Sequence, residues 1–301
     1  MSTAGDVLEL VRAPAALTVL GDTIAGGHAG GARFTARQWL LPLASVFLYT
    51  GGMALNDYAD RDLDAVERPE RPIPSGRVPA RRALGIATTL MAVGVGLAAA
   101  GGGRRSLGVA APLVGAIVLY NTVAKDTAAG PVSMAACRGL DVLMGAGGSR
   151  AALPAAATVA LHTAVVTATS QGEVHGGTTA TARGALVATG VTAVAALVGG
   201  PPTASASRGS ASRTTRVLAG VGAVAAAAAY LVTTLPSQLK TLADPSAGNV
   251  RTATRAGIGG MVPLQATLTA RSGALGPAAL LGGVDAARRA LSARRSRGDV
   301  T

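Results

Sequence analysis

The chain alternates between long stretches without charge and short polar breaks. Six runs carry no Asp, Glu, Lys or Arg: 38–56, 83–103, 106–124, 151–172, 184–207 and 217–239. Each comes close to or exceeds the roughly 20 residues that a helix needs to cross a bilayer. Residues 8–27 form a further run, crossed by Arg12 and Asp22, and 131–148 another, crossed by Arg138 and Asp141. Segments 257–270 and 275–291 are weaker. The pattern predicts an all-α, polytopic membrane bundle of about nine transmembrane helices, with a possible tenth. It is read as one domain over 1–301, ending in a basic tail at 285–301. The abundant Gly, Ala and Ser suit helices that approach closely in lipid. The start lacks a Lys/Arg-rich segment, and Asp22 interrupts its apolar run, so it does not read as a cleaved signal peptide.

Composition strengthens this picture. Of 301 residues 49% are hydrophobic and only 14% charged, and the mean hydropathy is +0.42. That balance is ordinary for a multi-pass protein of the cell membrane. The net charge of +12 does not point to nucleic acid, because the arginines stand in short clusters without interleaved aromatics. Loops facing anionic membrane lipids explain them better. The lone Cys137 excludes an internal disulfide and reads as a small packed residue.

The charge is concentrated in one place. Residues 54–78, ALNDYADRDLDAVERPERPIPSGRV, supply four aspartates, two glutamates and four arginines. On a helix Asp57, Asp60 and Asp64 fall at i, i+3 and i+7 and share a face, with Asn56 one turn below Asp60. Asp62 points elsewhere. Three acids on one face repel, and a divalent cation relieves them. Oxygen-only ligands suit Mg²⁺, which is usually completed by substrate phosphates. Neither His nor Cys lies in the stretch, which disfavours zinc. Arg68, Arg71 and Arg77 are natural partners for phosphate oxygens, and Pro69, Pro72, Pro74 and Gly76 make a loop that folds back over them. These residues predict a metal–diphosphate site at the mouth of the bundle. Its loop, with Arg61, Arg68, Arg71, Arg77, Arg81 and Arg82, is expected on the cytoplasmic side.

Asn56-Asp57-x-x-Asp60-x-x-x-Asp64 resembles the first aspartate-rich motif of the UbiA superfamily of intramembrane prenyltransferases. Arg71-Pro72-Ile73-Pro74-Ser75-Gly76 is similar to the element that follows it there. The wording is similar in detail to the EboC-like bacterial branch, and the resemblance is best over 8–150. It implies a transferase that moves a prenyl group from an isoprenoid diphosphate to a lipophilic, often aromatic acceptor, with Mg²⁺ assisting departure of diphosphate. Asn56, Asp57, Asp60 and Asp64 would hold the metal. Tyr120 and Lys125 match a tyrosine and lysine of the family's next polar loop, where Lys125 would neutralise the leaving group. The family's second aspartate-rich motif has no counterpart in Ser170–Gly177, where Glu173 is the one acid; Glu173 is expected as a metal and substrate ligand in its place. His175 is read as an ordinary loop histidine.

Further expectations concern the interior. Arg138 and Asp141, at i and i+3, are expected to pair with each other or to face substrate. Arg12 is expected to snorkel to the headgroups, and Asp22, ionisable within a span, is a functional candidate. Tyr58 and Tyr120 could offer ring faces to an allylic cation. The rival readings are a transporter or lipid-handling protein lined by Asp22, Arg138 and Asp141, and a transferase using another phosphorylated donor. The chain shows no second copy of the acidic stretch, which weighs against a repeat-built transporter.

Overall fold

The computed structural model describes residues 3–31, 34–199 and 212–298, and among these every regular element is helical. The helices are α1 (Ala4–Leu10), α2 (Leu20–Ala29), α3 (Leu40–Ala59), α4 (Arg61–Glu67), α5 (Ala80–Leu119), α6 (Gly130–Gly145), α7 (Leu153–Ser170), α8 (Thr179–Val198), α9 (Arg213–Ala243), α10 (Ala247–Arg271) and α11 (Leu275–Gly298). Most of the connector at 199–216, including Arg208, the end of the 184–207 run and the last residues of the basic tail lie outside the described residues.

The spans differ from the sequence expectation in number. Among the described residues five helical stretches are long and apolar enough to cross a membrane: Ala36–Ala59, Ala80–Ala124, Arg150–Ser170, Thr179–Val198 and Arg213–Ala243. The second contains two of the predicted spans, because Gly103 adopts φ 66, ψ −156 inside α5. Only glycine takes up such a conformation readily. The chain folds back there. Gly94 lies against Leu48 and Gly51 against Met91 on the way out, and Ile117 lies against Gly52 on the return. Both halves of α5 therefore pack along α3.

The expected first span is not one helix. It is α1, a 3-10 segment Ala13–Thr18, and the ten-residue α2. The expected fifth span is the sixteen-residue α6. The predicted ninth lies within α10, and the tenth is represented by the apolar part of α11, Leu275–Ala287.

Small residues set the closest approaches. A Cβ added at Gly26 would stand 1.8 Å from the Val142 carbonyl oxygen, and one at Gly145 would stand 2.2 Å from that of Thr23. The α2 and α6 backbones therefore touch directly, as glycine contacts in lipid allow. This contact brings Asp22 and Arg138 into one layer. Around it the aliphatic core gathers Leu41, Leu48, Met91, Leu113 and Met144 on one side and Val142, Val159, Tyr230, Leu264 and Leu268 on the other.

Candidate active site

The acidic stretch begins where α3 ends. Asp60 caps α3 and starts α4, with φ −86 and ψ 0. The expected single helix is therefore bent at Asp60. Its hydrogen-bond ladder still runs through the bend, with the Asp60 amide donating to Asn56 O at 2.9 Å and the Asp64 amide to Asp60 O at 2.8 Å. Asp57 and Asp64 are both buried, each 4% exposed, while Asp62 is exposed beside Arg61.

Each of the three acids meets a cation. Arg12 Nη2 lies 2.9 Å from Asp57 Oδ1 and 3.5 Å from Asn56 Oδ1. Arg71 Nη1 lies 2.5 Å from Asp64 Oδ2 and 3.6 Å from Asp57 Oδ1. Lys125 Nζ pairs with Asp60. Buried carboxylates without such partners would be strongly destabilising. The shared metal expected from helical spacing is thus not preformed: among the described residues no three acidic, His or Cys side chains converge on one ion position.

Arg12 corrects a further expectation. It does not snorkel to headgroups but turns inward to Asp57. It is the one described non-glycine residue with positive φ, at 48°. The left-handed conformation costs an ordinary residue about 1–2 kcal/mol, and strain of this kind persists where the surroundings over-determine it. Behind it, Arg77 clamps α1 to the proline loop. Its Nη1 reaches Asp6 at 2.9 Å and Glu9 at 2.7 Å, and its Nη2 reaches Glu70 O at 2.7 Å. The Thr3 backbone N–H chiefly, and then its hydroxyl and Arg77, hold the Asp6 carboxyl below its ordinary pKa. Glu9 is lowered chiefly by its hydrogen bond to Arg77. Arg77 is thereby occupied away from the three aspartates, and Arg68 is exposed at the end of α4.

The second polar loop enters from α5. Tyr120–Ala124 is a π-helical turn, closed by the Lys125 amide donating to Tyr120 O at 3.0 Å. Such turns re-aim side chains and are frequent at functional sites. Here Tyr120 faces inward while Lys125 reaches Asp60. Asn121 donates its amide to Ile117 O at 2.8 Å.

Two adjoining cavities open inside these groups. The larger, about 380 Å³, is bordered by Arg12, Asn56, Tyr120, Arg138 and Glu173 at its polar side, and by Met53, Met134, Val166, Ile258 and Met261 elsewhere. The smaller, about 70 Å³, is almost wholly apolar and shares Tyr49, Met53, Tyr120, Met134 and Arg138 with it. Cys137 is buried on the smaller cavity's wall. Glu173 therefore faces the same space as Asn56 although 117 positions separate them. Its backbone oxygen accepts from Arg251 at 2.8 Å. His175 is exposed. Tyr58 is not on either wall; its ring carries the Arg61 guanidinium at 4.9 Å.

At the floor, Arg138 does not pair with Asp141. Its Nε lies 2.9 Å from Asp22 Oδ2, and its Nη2 donates to Thr18 O at 2.9 Å. Gln265 completes the cluster, donating to Asp22 Oδ1 at 2.6 Å and Thr18 O at 2.8 Å. Asp141 instead accepts from Ser45. The i, i+3 spacing on α6 permitted a pair, but the direct α2–α6 backbone contact offered Arg138 a better placed carboxylate. Asp22, singled out in the sequence, is wholly buried in this cluster. Gln265 and His162 were not foreseen. His162 lines the larger cavity and is fixed by Tyr230 Oη and Gly257 O, each at 3.0 Å. Nothing in local spacing marks these residues, since their partners lie many residues away.

A sequence model of the UbiA prenyltransferase family matches residues 18–172. A digeranylgeranylglyceryl phosphate synthase of Methanopyrus kandleri is 48% identical over 96 residues, 30% of this chain and 34% of that protein. The chain spans about a third of the length of the curated relatives it matches. The fold resembles a UbiA homolog from Aeropyrum pernix K1 with TM-score 0.66 and 16% identity, over 84% of this chain and 96% of that one. It also resembles a UbiA homolog from Archaeoglobus fulgidus bound to GPP and Mg²⁺, with TM-score 0.57 and 16% identity, over 83% and 99% of the two chains. At that identity the likeness is one of fold.

Proposed function

The chain belongs to the UbiA prenyltransferase family, and from that premise we propose that it is a multi-pass membrane enzyme that transfers a prenyl group from an isoprenoid diphosphate to a lipophilic acceptor. The observation that carries this reading is the pairing of Asp57, Asp60 and Asp64 with Arg12, Arg71 and Lys125 where a polar mouth meets an apolar cavity. A diphosphate ester of an isoprenoid has the same division, a charged head on an apolar tail.

The donor set suits Mg²⁺ in kind. Asp57, Asp60, Asp64, Asn56 and Glu173 offer only oxygen, and magnesium takes one or two carboxylates and leaves its remaining positions to water and phosphate. When bound, the ion would withdraw charge from the departing diphosphate. The carboxylates are held by the three cations; Asp57, Asp60 and Asp64 would be the residues to hold the ion, which would leave Arg12, Arg71 and Lys125 to donate to phosphate oxygens. Arg71 and Arg12 present forked donors that match phosphate. Lys125, beside Asp60, adds a point charge as the allylic C–O bond breaks and negative charge gathers on the leaving oxygen. The Tyr120 ring lies on the wall of both cavities, where its face can stabilise the allylic cation. The apolar walls keep water from that cation. Arg138, held by Asp22 and the Thr18 carbonyl, supplies a fixed positive charge at the floor; Asp141 stands near it on the smaller cavity. Arg77 keeps α1, and so Arg12, in place. Arg68 stays at the rim.

The acceptor is the finer question. Glu173-Val174-x-Gly176-Gly177 favours placement in the EboC-like bacterial branch. The names of the matched relatives favour a lipid alcohol over an aromatic ring. We take the alcohol first, because attack by a hydroxyl needs no ring slot beyond the small cavity. We assign the acidic loop to the cytoplasmic side, a reading supported by its six arginines.

The test is incubation of protein-bearing membranes with labelled geranylgeranyl diphosphate and Mg²⁺ or EDTA, supplying either a prenylated glyceryl phosphate or lipophilic phenols. Metal-dependent diphosphate release with a prenylated product supports the reading. Absence of any binding of the prenyl diphosphate would sink it.

A further inference from the structure

A different cavity lies at the other end of the bundle. Its volume is about 520 Å³, and its walls include Gln38, Leu41, Gly102, Arg105, Gly147 and Ser149. These residues sit at the start of α3, at the Gly103 reversal of α5 and after α6. The acidic stretch sits at the far end of α3, twenty residues away, or about 30 Å along a helix. This cavity is therefore separate from the proposed reaction site and depends on nothing said about it.

The walls offer donors and no acid. The Arg105 side chain is exposed and has no ion pair among the described residues. Gln38 uses its carbonyl to accept from Thr35 N at 2.9 Å and from Thr35 Oγ1 at 3.2 Å, which leaves its amide N–H groups. Ser149 supplies a hydroxyl. Ser106, by contrast, is occupied, donating to Met144 O at 2.9 Å. The Gly147 and Gly148 amides are also occupied, by Met144 O at 3.1 Å and Leu143 O at 2.9 Å. Recognition here falls to side chains.

The surrounding charge points the same way. Segments 30–39, 100–106 and 145–152 contain no Asp or Glu, yet they include Arg37, Arg104, Arg105 and Arg150. At the reaction end, arginines are matched by acids. Here they are not, and guanidinium groups without acids are natural partners for phosphate oxygens. Glycines on the walls leave room for a group larger than an ion. We propose that this cavity is a binding site for the phosphate of an anionic phospholipid, gripped by Arg105 with Gln38 and Ser149 donating to its oxygens.

The experiment places the full chain in nanodiscs of phosphatidylcholine with phosphatidylglycerol, and reads retained lipid by native mass spectrometry after transfer to detergent. Wild type should retain phosphatidylglycerol over phosphatidylcholine. Arg105→Ala should lower that retention about tenfold, as loss of a charge-assisted contact does, and Gln38→Leu should lower it less. Arg105→Lys should recover part of it. Arg183→Ala, at an exposed arginine of α8 outside both sites, should retain lipid as wild type does and reports on general folding. Equal retention by wild type and Arg105→Ala, or no preference between the two lipids, overturns the proposal. Millimolar inorganic phosphate that fully displaces the lipid would assign the site to free phosphate and likewise overturn the lipid assignment.

Discussion

Two polar loops border the larger cavity, and they are built to different rules. The 54–78 loop places three acids across the α3–α4 bend and answers each with a cation, drawn from the turn after α1, from its own proline loop and from the loop after α5. The Ser170–Gly177 loop places one carboxylate, Glu173, on the same cavity and is tied down by its backbone to Arg251. The first loop is a charge store: removing Arg71 leaves the buried Asp64 uncompensated, and removing Lys125 does the same to the half-buried Asp60. The second is a scaffold with a single carboxylate. Function should therefore be lost steeply at the first loop and gradually at the second.

The largest expected effect is Asp57→Asn with Asp60→Asn. Turnover of a labelled prenyl diphosphate should fall by at least about 10²–10³-fold, the scale seen when a charge-stabilising group is removed. If the double variant kept wild-type turnover, the first loop would not be the reaction site. Next in size is Arg71→Ala, which strips a partner from both Asp64 and Asp57. Breaking a buried pair costs about 3–5 kcal/mol, so thermal unfolding in detergent should shift down clearly, and Arg71→Lys should restore only part of it.

Glu173→Gln sharpens the contrast. We expect a drop of about tenfold or less in turnover, with a raised Mg²⁺ requirement, because one of several oxygen donors becomes neutral. A loss as large as that of the aspartate pair would make the two loops equals. The smallest effect concerns pH. Asp6 and Glu9 are held below their ordinary pKa values of 3.8 and 4.5. A lowered folded pKa contributes stability that is present above the unfolded value and is lost as pH falls through the folded one. Docking of α1 should thus be unchanged from pH 7 to pH 5 and loosen below about pH 4. Hydrogen exchange of residues 4–12 reads this directly, and Arg77→Ala should loosen the same segment at every pH.

Much of this site is legible along the chain because it is local. Asn56, Asp57, Asp60 and Asp64 fall within nine positions, so the sequence puts them at one end of the bundle, although the bend at Asp60 keeps the acids from converging on one point. Tyr120 and Lys125 were marked by the family resemblance instead, and the π-helical turn explains why one faces the cavity and the other Asp60. The pairing of Arg138 was misread for the opposite reason. Spacing on α6 offered Asp141, while the true partner, Asp22, lies 116 positions earlier. Arg12 was misjudged likewise, since its partner Asp57 belongs to another helix. Gly103 ended a charge-free run in the sequence, but that it reverses the chain inside a continuous helical stretch required the backbone angles.

By itself, then, the order of residues settled the helical class, the membrane setting and the place where charge collects. Those follow from hydrophobic runs and from periodicity, which act over one or two turns. Tertiary structure decided which cation answers which acid, that the expected first span is three short pieces, and that Glu173 shares a cavity with Asn56. Those outcomes depend on glycine-to-backbone contacts such as Gly26 against Val142 and on the reversal at Gly103. Such contacts fix where distant segments meet, and a buried charge then takes whichever partner that meeting leaves within reach.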